Sequence, residues 1–365
     1  MKIFKVNYFS NSIVPSSNAN SVHVTKMADA IKTLGFLEHF FIYRKKKVNI
    51  KEKYNLKNKL NYKFYFLSPA PVFTFVDSIL TLLRSDKRFF TYGRNIKVCL
   101  IHLLFNRKVI FETHQPLKYY TKLEKFLFFY LLKKKKIKHI ICISQALKNI
   151  IKKEVKGYNL EIYVLHDSAN LNKFSKKKYK KNLNKIGYSG SLLDGRGIEI
   201  IFNLAFRLPN IEFHIAGGSN FEINNLKKKN PNNIFFHGFL DQKKIERFQA
   251  SMNILLAPYQ KNTKIPGNKI TSQWMSPLKI FEYMASGTPF IASDLPVLRE
   301  VLKSEYNCIL CKPDDLLGWE KAILKILENS KLAERISKNS QKDIQENYSW
   351  EVRARKLREI FKKIY

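Results

Sequence analysis

The feature that most constrains this chain is a double series of short β-branched runs alternating with amphipathic helical segments, parted by a lysine- and asparagine-rich interval at 170–184. In the first series, 2–8, 38–43, 108–112, 139–143 and 161–165 read as strands, and 22–34 and 145–153 as helices. In the second, strands at 185–189, 212–216, 234–236, 254–257, 289–292 and 309–312 alternate with helices at 198–207, 242–251 and 277–286. Alternation of this kind builds parallel sheets covered by helices on both faces. The chain therefore reads as α/β, with two Rossmann-like, doubly wound parallel-sheet domains facing a central cleft. Ligands are expected beyond the carboxyl ends of the strands. A length of 365 residues agrees, being too long for one core.

Several classes are excluded. Apolar residues make up 45% and charged residues 26%, the balance of a folded globular chain. The longest apolar run, 126–132, is far short of the ~20 residues of a membrane span. The opening residues break their apolar positions with charge, so no signal peptide is expected and a cytoplasmic location is the default. Four cysteines cannot frame a disulfide scaffold. Cys308 and Cys311 form a CxxC without a second pair or a nearby histidine, and their context reads as a buried strand.

The net charge of +37 is uneven. Residues 1–180 carry 37 Lys+Arg against 10 Asp+Glu, and 181–365 carry 29 against 19. Of the 66 basic residues 53 are lysine, whereas base reading and bidentate phosphate recognition favour arginine. The apolar run 126–132 precedes Lys133, Lys134, Lys135 and Lys136. Two readings stand for it: a surface meeting an anionic membrane, or a buried helix with a solvated lysine end.

Two loops look built for a diphosphate. Residues 190–197 follow a strand and precede a helix; Gly195 and Gly197 permit close backbone approach, and Arg196 adds a permanent cation to a helix start that already favours anions. In the second, Ser276 suits an N-cap, Pro277 the first helical position and Gly287 the C-terminal cap. Lys279 lies in that helix's first turn, with Glu282 three residues on and on the same face. Two cationic helix starts in one domain point to a nucleotide diphosphate. No Asp-x-Asp pair is present, so fixed cations rather than a metal are expected to meet the departing charge.

With 186–191, 195–199, 213–218, 236–239, 276–289, 292–300 and 348–354 in view, the chain resembles the GT-B glycosyltransferases of the family-4 type, the glycosyl transferases group 1. Spacing and order agree from about residue 185 onward; the first half agrees more loosely, through 16–35, 112–114, 143–144 and 165–167. The resemblance implies a GT-B architecture with an acceptor-binding domain at 1–175, a nucleotide-sugar donor domain at 176–345, and a terminal helix at 346–365 packing back toward the first domain. It implies donor contacts from Gly190, Ser191, Gly195, Arg196, Gly217, Gly238, Ser276, Pro277, Leu278, Lys279 and Glu282. Glu282 takes the second position of an E-x7-E motif whose first position is here Trp274, and Ser191 stands where relatives carry arginine. Arg196 and Lys279 would neutralise the leaving diphosphate, with His114 as the third catalytic candidate. Ser17, Asn18, Asn20 and His114 would face the acceptor.

The activity so implied is transfer of a sugar from a nucleoside-diphosphate sugar to a glycan or lipid-linked acceptor, with retention, in surface polysaccharide or glycolipid synthesis. No cofactor or metal is expected, and the basic half could rest on the inner membrane face. Two other readings stand beside it. A nucleotide-sugar-binding protein that has lost transfer is favoured by Trp274. A nucleic-acid-binding protein is favoured by charge alone, but no nucleic-acid module is visible and no such partner is expected.

Overall fold

The computed structural model of the chain describes residues 4–16, 18–44, 49–67, 69–172, 174, 184–228, 231–265 and 269–364. Two compact units emerge: Met1–Asp167 together with Trp350–Tyr365, and Ser168–Ser349. Most of the interval 170–184 lies outside the described residues.

Unit 1 opens with β1 (Val6–Ile13), α1 (Ala19–Thr33) and β2 (Leu37–Tyr43). The sequence reading ends the first strand at residue 8. The strand instead continues, with Ser10 and Ser12 buried and their hydroxyls hydrogen-bonded at 2.9 Å. The interval 44–107, for which no element was anticipated, holds α2 (Ile50–Lys53), β3 (Tyr62–Phe64), α3 (Pro71–Arg84), β4 (Phe90–Gly93) and α4 (Ile96–Leu104). Then follow β5 (Val109–Thr113), α5 (Lys122–Lys133), β6 (His139–Cys142), α6 (Gln145–Glu154) and β7 (Glu161–Val164).

The seven strands are parallel in the order β3-β2-β1-β4-β5-β6-β7. Burial of the central strands on both faces explains their unbroken apolar character. On one face Tyr8 stacks between Phe40 and Tyr92, at centroid distances of 5.2 and 4.8 Å; Phe9 stacks on Phe41 on the other, at 4.4 Å.

Unit 2 contains β8 (Lys185–Ser189), α7 (Ile198–Arg207), β9 (Glu212–Ala216), α8 (Asn220–Lys227), β10 (Ile234–Gly238), α9 (Gln242–Ser251) and β11 (Ile254–Ala257). A small antiparallel pair, β12 (Lys264–Ile265) and β13 (Lys269–Ile270), precedes α10 (Leu278–Ser286) and β14 (Phe290–Ser293). The unit closes with β15 (Ile309–Cys311), α11 (Leu316–Glu328) and α12 (Ser330–Asp343). Its main sheet is parallel, ordered β10-β9-β8-β11-β14-β15. The core joins Phe213, Ile215, Ile291 and Trp319. Cys308 and Cys311 are buried, and burial pushes the Cys311 thiol up to about 12, so it stays protonated.

The chain then returns to unit 1 as α13 (Trp350–Ile364), which packs on α1. Both sheets are thus parallel and helix-covered, as the alternation implied.

Candidate functional site

In unit 2 the strand order reverses between β8 and β11, since β9 and β10 lie to one side of β8 and β11 and β14 to the other. Such a reversal opens a crevice at the carboxyl ends of the strands. Gly190 and Gly217 directly follow β8 and β9, and Gly238 ends β10. The Gly190 amide donates to the Ala216 carbonyl at 2.9 Å and the Gly217 amide to the Gly238 carbonyl at 2.7 Å. These loops touch so closely that a Cβ on Gly217 would collide with the Gly190 carbonyl oxygen.

Lys279 is brought to the same place. It is buried in the first turn of α10, and a Cβ on Gly190 would lie 2.9 Å from its Nζ. The ammonium sits 3.6 Å from the centroid of the Tyr188 ring and has no hydrogen-bond partner among the described residues. Burial, and after it the Arg196 charge, holds the Lys279 pKa well below the usual lysine range, with Glu282 pulling the other way. Arg196 approaches from the loop before α7, its guanidinium 5.4 Å from the Tyr259 ring; Lys279 Nζ is 5.1 Å from that ring. Arg196, Lys279 and Gly190 therefore converge, with Glu282 close enough to act on Lys279.

The helix starts reinforce this positive field. Among the described residues of unit 2, the N-cap side chain accepts from a first-turn amide in four α-helices: Ser219 in α8, Asp241 in α9, Asp315 in α11 and Asn329 in α12. The N-cap residues of α7 and α10, Gly197 and Pro277, make no such bond. Gly197, in the left-handed region at φ 78°, caps α7 without offering a side chain. At α10 the expected start shifts by one residue. Pro277 is the N-cap and Leu278 the first helical residue, so Ser276 stands outside and proline supplies no acceptor. Gly287 takes the expected left-handed C-cap. Ser191 is exposed, its carbonyl accepting from the Tyr188 hydroxyl at 2.7 Å. The Gly195 carbonyl accepts from Gln260 N at 2.8 Å. Trp274 is buried.

The first-half candidates lie in unit 1. Ser17 falls outside the described residues. Asn18 is the exposed N-cap residue of α1, and the Asn20 amide donates to Ser12 Oγ at 2.7 Å. His114, just beyond β5, belongs to a network the sequence reading did not assemble. Its Nε2 is 2.7 Å from Glu112 Oε1. The other Glu112 oxygen takes Arg353 of α13 at 2.9 Å and the Tyr92 hydroxyl. Burial alone would raise the Glu112 pKa, but Arg353, then His114 and His23, hold it well below the carboxylate range. An ionised carboxylate only accepts, so His114 Nε2 must carry the proton and Nδ1 is left as the acceptor. Burial and the Arg94 charge push His114 down to about 3, against the pull of Glu112.

Behind it, His23 of α1 places Nδ1 2.9 Å from Asp167 and Nε2 3.6 Å from Glu112. The signals for this network were the i, i+2 pair of Glu112, on β5, and His114, just past its end, and a carboxylate inside an apolar run. Its cation lies 241 residues away. His23, Glu112 and His114 also form the one group among the described residues whose donor atoms lie close enough to hold a metal ion, all within 4.8 Å of one another. As arranged, Glu112 is already bonded on both oxygens.

Residues 170–343 match the family model of the glycosyl transferases group 1. The O-antigen chain mannosyltransferase RfbU of Salmonella typhimurium is 27% identical over 242 residues, which are 64% of this chain and 66% of that protein, just under two thirds of the relative's length. Among solved structures, a sucrose-phosphate synthase from Thermosynechococcus elongatus superposes with a TM-score of 0.74 at 13% identity, covering 99% of each chain. Anabaena Alr3699/HepE in complex with UDP gives 0.73 at 13% identity, over 99% of this chain and 100% of that one. The two doubly wound units are those of a GT-B fold, and the segment 170–343, just under half of the chain, is similar to the glycosyl transferases group 1.

Proposed function

We propose that the chain transfers a sugar from a nucleoside-diphosphate sugar to a glycan or lipid-linked acceptor in surface polysaccharide or glycolipid assembly. The observation that carries this reading is the buried, unpartnered Lys279 ammonium beside Gly190, flanked by Arg196 and two helix starts without side-chain caps. A buried cation with no hydrogen-bond partner is costly, and a diphosphate would satisfy it. Two similar proteins support the details: RfbU is an O-antigen chain mannosyltransferase, and HepE has been solved in complex with UDP-glucose. UDP is accordingly the nucleotide we assign.

In the reaction the anomeric C–O bond breaks and its electron pair goes to the departing phosphate, where Lys279, Arg196 and the amides of α7 and α10 stabilise the growing charge. The protein's fixed cations would fill the role a metal fills elsewhere. The acceptor hydroxyl forms the new C–O bond and releases its proton to the leaving phosphate, with retention as the family resemblance implies. His114, with Nδ1 free to accept, would orient that hydroxyl, and Glu282 would hold the ribose. Unit 1 would bind the acceptor.

The test is release of nucleoside diphosphate from a panel of nucleotide-sugars in the presence of lipid-linked or glycan acceptors. UDP-sugar turnover that drops roughly 100-fold or more in Arg196→Ala and Lys279→Ala is expected. Undiminished turnover in both would sink the assignment.

A further inference from the structure

Helix α3 of unit 1 is built inside out. Thr74, Asp77, Ser78 and Thr81 are buried, while Phe73, Phe75, Val76, Ile79 and Leu83 are 37–86% exposed. This orientation is locked by bonds that only the polar face can make. Asp77 accepts from the Phe66 and Leu67 amides and the Tyr43 hydroxyl. Thr81 pairs with His102 Nε2 at 2.9 Å, and Lys97 donates to Thr74 Oγ1 at 2.6 Å. Turning the helix to bury its phenylalanines would break all of these. A helix whose outer face is the apolar one is suited to an apolar medium, the reverse of an ordinary surface helix.

The apolar face continues over neighbouring elements and is framed by cations. α3 packs on α4, and α4 on α5. Arg107 donates to the Leu82 carbonyl at 3.0 Å beside Phe105, which is 64% exposed. Lys136 donates to the Leu104 carbonyl at 3.3 Å, bringing the exposed Lys133–Lys136 cluster to the same edge. On α5 the run 126–132 divides between the two readings of the sequence. Phe128, Leu131 and Leu132 are buried, whereas Phe126 is 66% exposed. Residues 63–138 carry 16 Lys+Arg and four Asp+Glu, and two of those acids, Asp77 and Glu112, are buried.

We propose that the α3 face docks unit 1 on an anionic lipid surface, with Phe73, Val76, Ile79 and Leu83 entering the headgroup–acyl boundary and the lysines meeting the headgroups. Apolar burial and attraction to anionic lipid act together in such a surface. The same dense positive charge disfavours a second copy of the chain as occupant, because like charges would face each other.

The test is partition of the full chain onto vesicles of phosphatidylcholine, alone and mixed with phosphatidylglycerol. Wild type should bind the mixed vesicles and scarcely bind phosphatidylcholine alone. Ile79→Asp with Leu83→Asp, both at exposed positions, should keep the thermal midpoint yet weaken binding at least roughly tenfold. In a separate Leu83→Trp variant, indole emission should be quenched by lipids brominated on the acyl chain. Absence of vesicle binding, equal binding by the double variant, or an unquenched indole would each overturn the proposal. So would a concentration-dependent dimer that the double variant abolishes, since the face would then join two copies.

Discussion

Replacing Lys279 by methionine should move stability in opposite directions with and without ligand. In the empty protein the ammonium is buried, lacks a hydrogen-bond partner, and has the Tyr188 ring as its nearest compensation at 3.6 Å. An unsatisfied buried polar group costs about 1–3 kcal/mol, and more when charged. The cation–π contact returns about 0.5–2 kcal/mol of that. Lys279→Met, which keeps the volume and removes the charge, should therefore stabilise the empty protein by about 1–2 kcal/mol. For a unit of this size that raises the midpoint by about 2–8 °C.

The gap should also shrink as pH rises. With its folded pKa depressed, Lys279 imposes its full penalty at low pH and loses it as pH climbs toward the unfolded value near 10.4. UDP at about 100 times its dissociation constant should add about 2.7 kcal/mol to wild type and essentially nothing to the variant, so the order of midpoints reverses. The assay is thermal unfolding of both proteins with and without UDP. A variant less stable than wild type in both conditions, or one that UDP stabilises as much as wild type, would refute the reasoning.

Other outcomes follow from the same geometry. Arg353→Ala leaves the Glu112 carboxylate buried without its main counter-ion and should cost about 3–5 kcal/mol in denaturant unfolding, while Arg353→Met with Glu112→Gln should recover much of it. Gly217→Ala, whose Cβ would strike the Gly190 carbonyl oxygen, should cost about 1–3 kcal/mol and weaken UDP binding by titration calorimetry; Gly238→Ala, with nothing within 4 Å, should do less. His102 and His114 are both pushed down to about 3. An unfolded histidine near 6.5 takes up a proton that the folded one refuses, so stability should fall as pH drops from about 6.5 toward 3, by about 2 kcal/mol per histidine at pH 5. Urea titrations of wild type and His102→Asn should show the variant with the shallower slope. His114→Ala should lower sugar transfer roughly 100-fold while leaving UDP affinity unchanged.

The second half of the chain was legible because its signals are local. Arg196, Lys279 and Gly287 could be placed from neighbouring residues, although the start of α10 moved from Pro277 to Leu278 and the helices α8, α11 and α12 went unread. The first half hides what its fold does with distant residues. Glu112 looks like one polar residue in a strand until Arg353 arrives from the last helix. α3 escaped notice because a polar face turned inward reverses the pattern by which helices are ordinarily read, and its partners Tyr43, Lys97 and His102 come from other elements. That Lys279 is buried and unpartnered is a property of packing against Tyr188 and Gly190, which spacing does not record.

Backbone hydrogen exchange with and without saturating UDP tests the central claim most directly, because it reports where the nucleotide sits without requiring an acceptor. The donor site argued above predicts slowed exchange at 190–197 and over the first turn of α10, with that protection lost in Arg196→Ala. Protection confined to other segments, or none at those two, would contradict it.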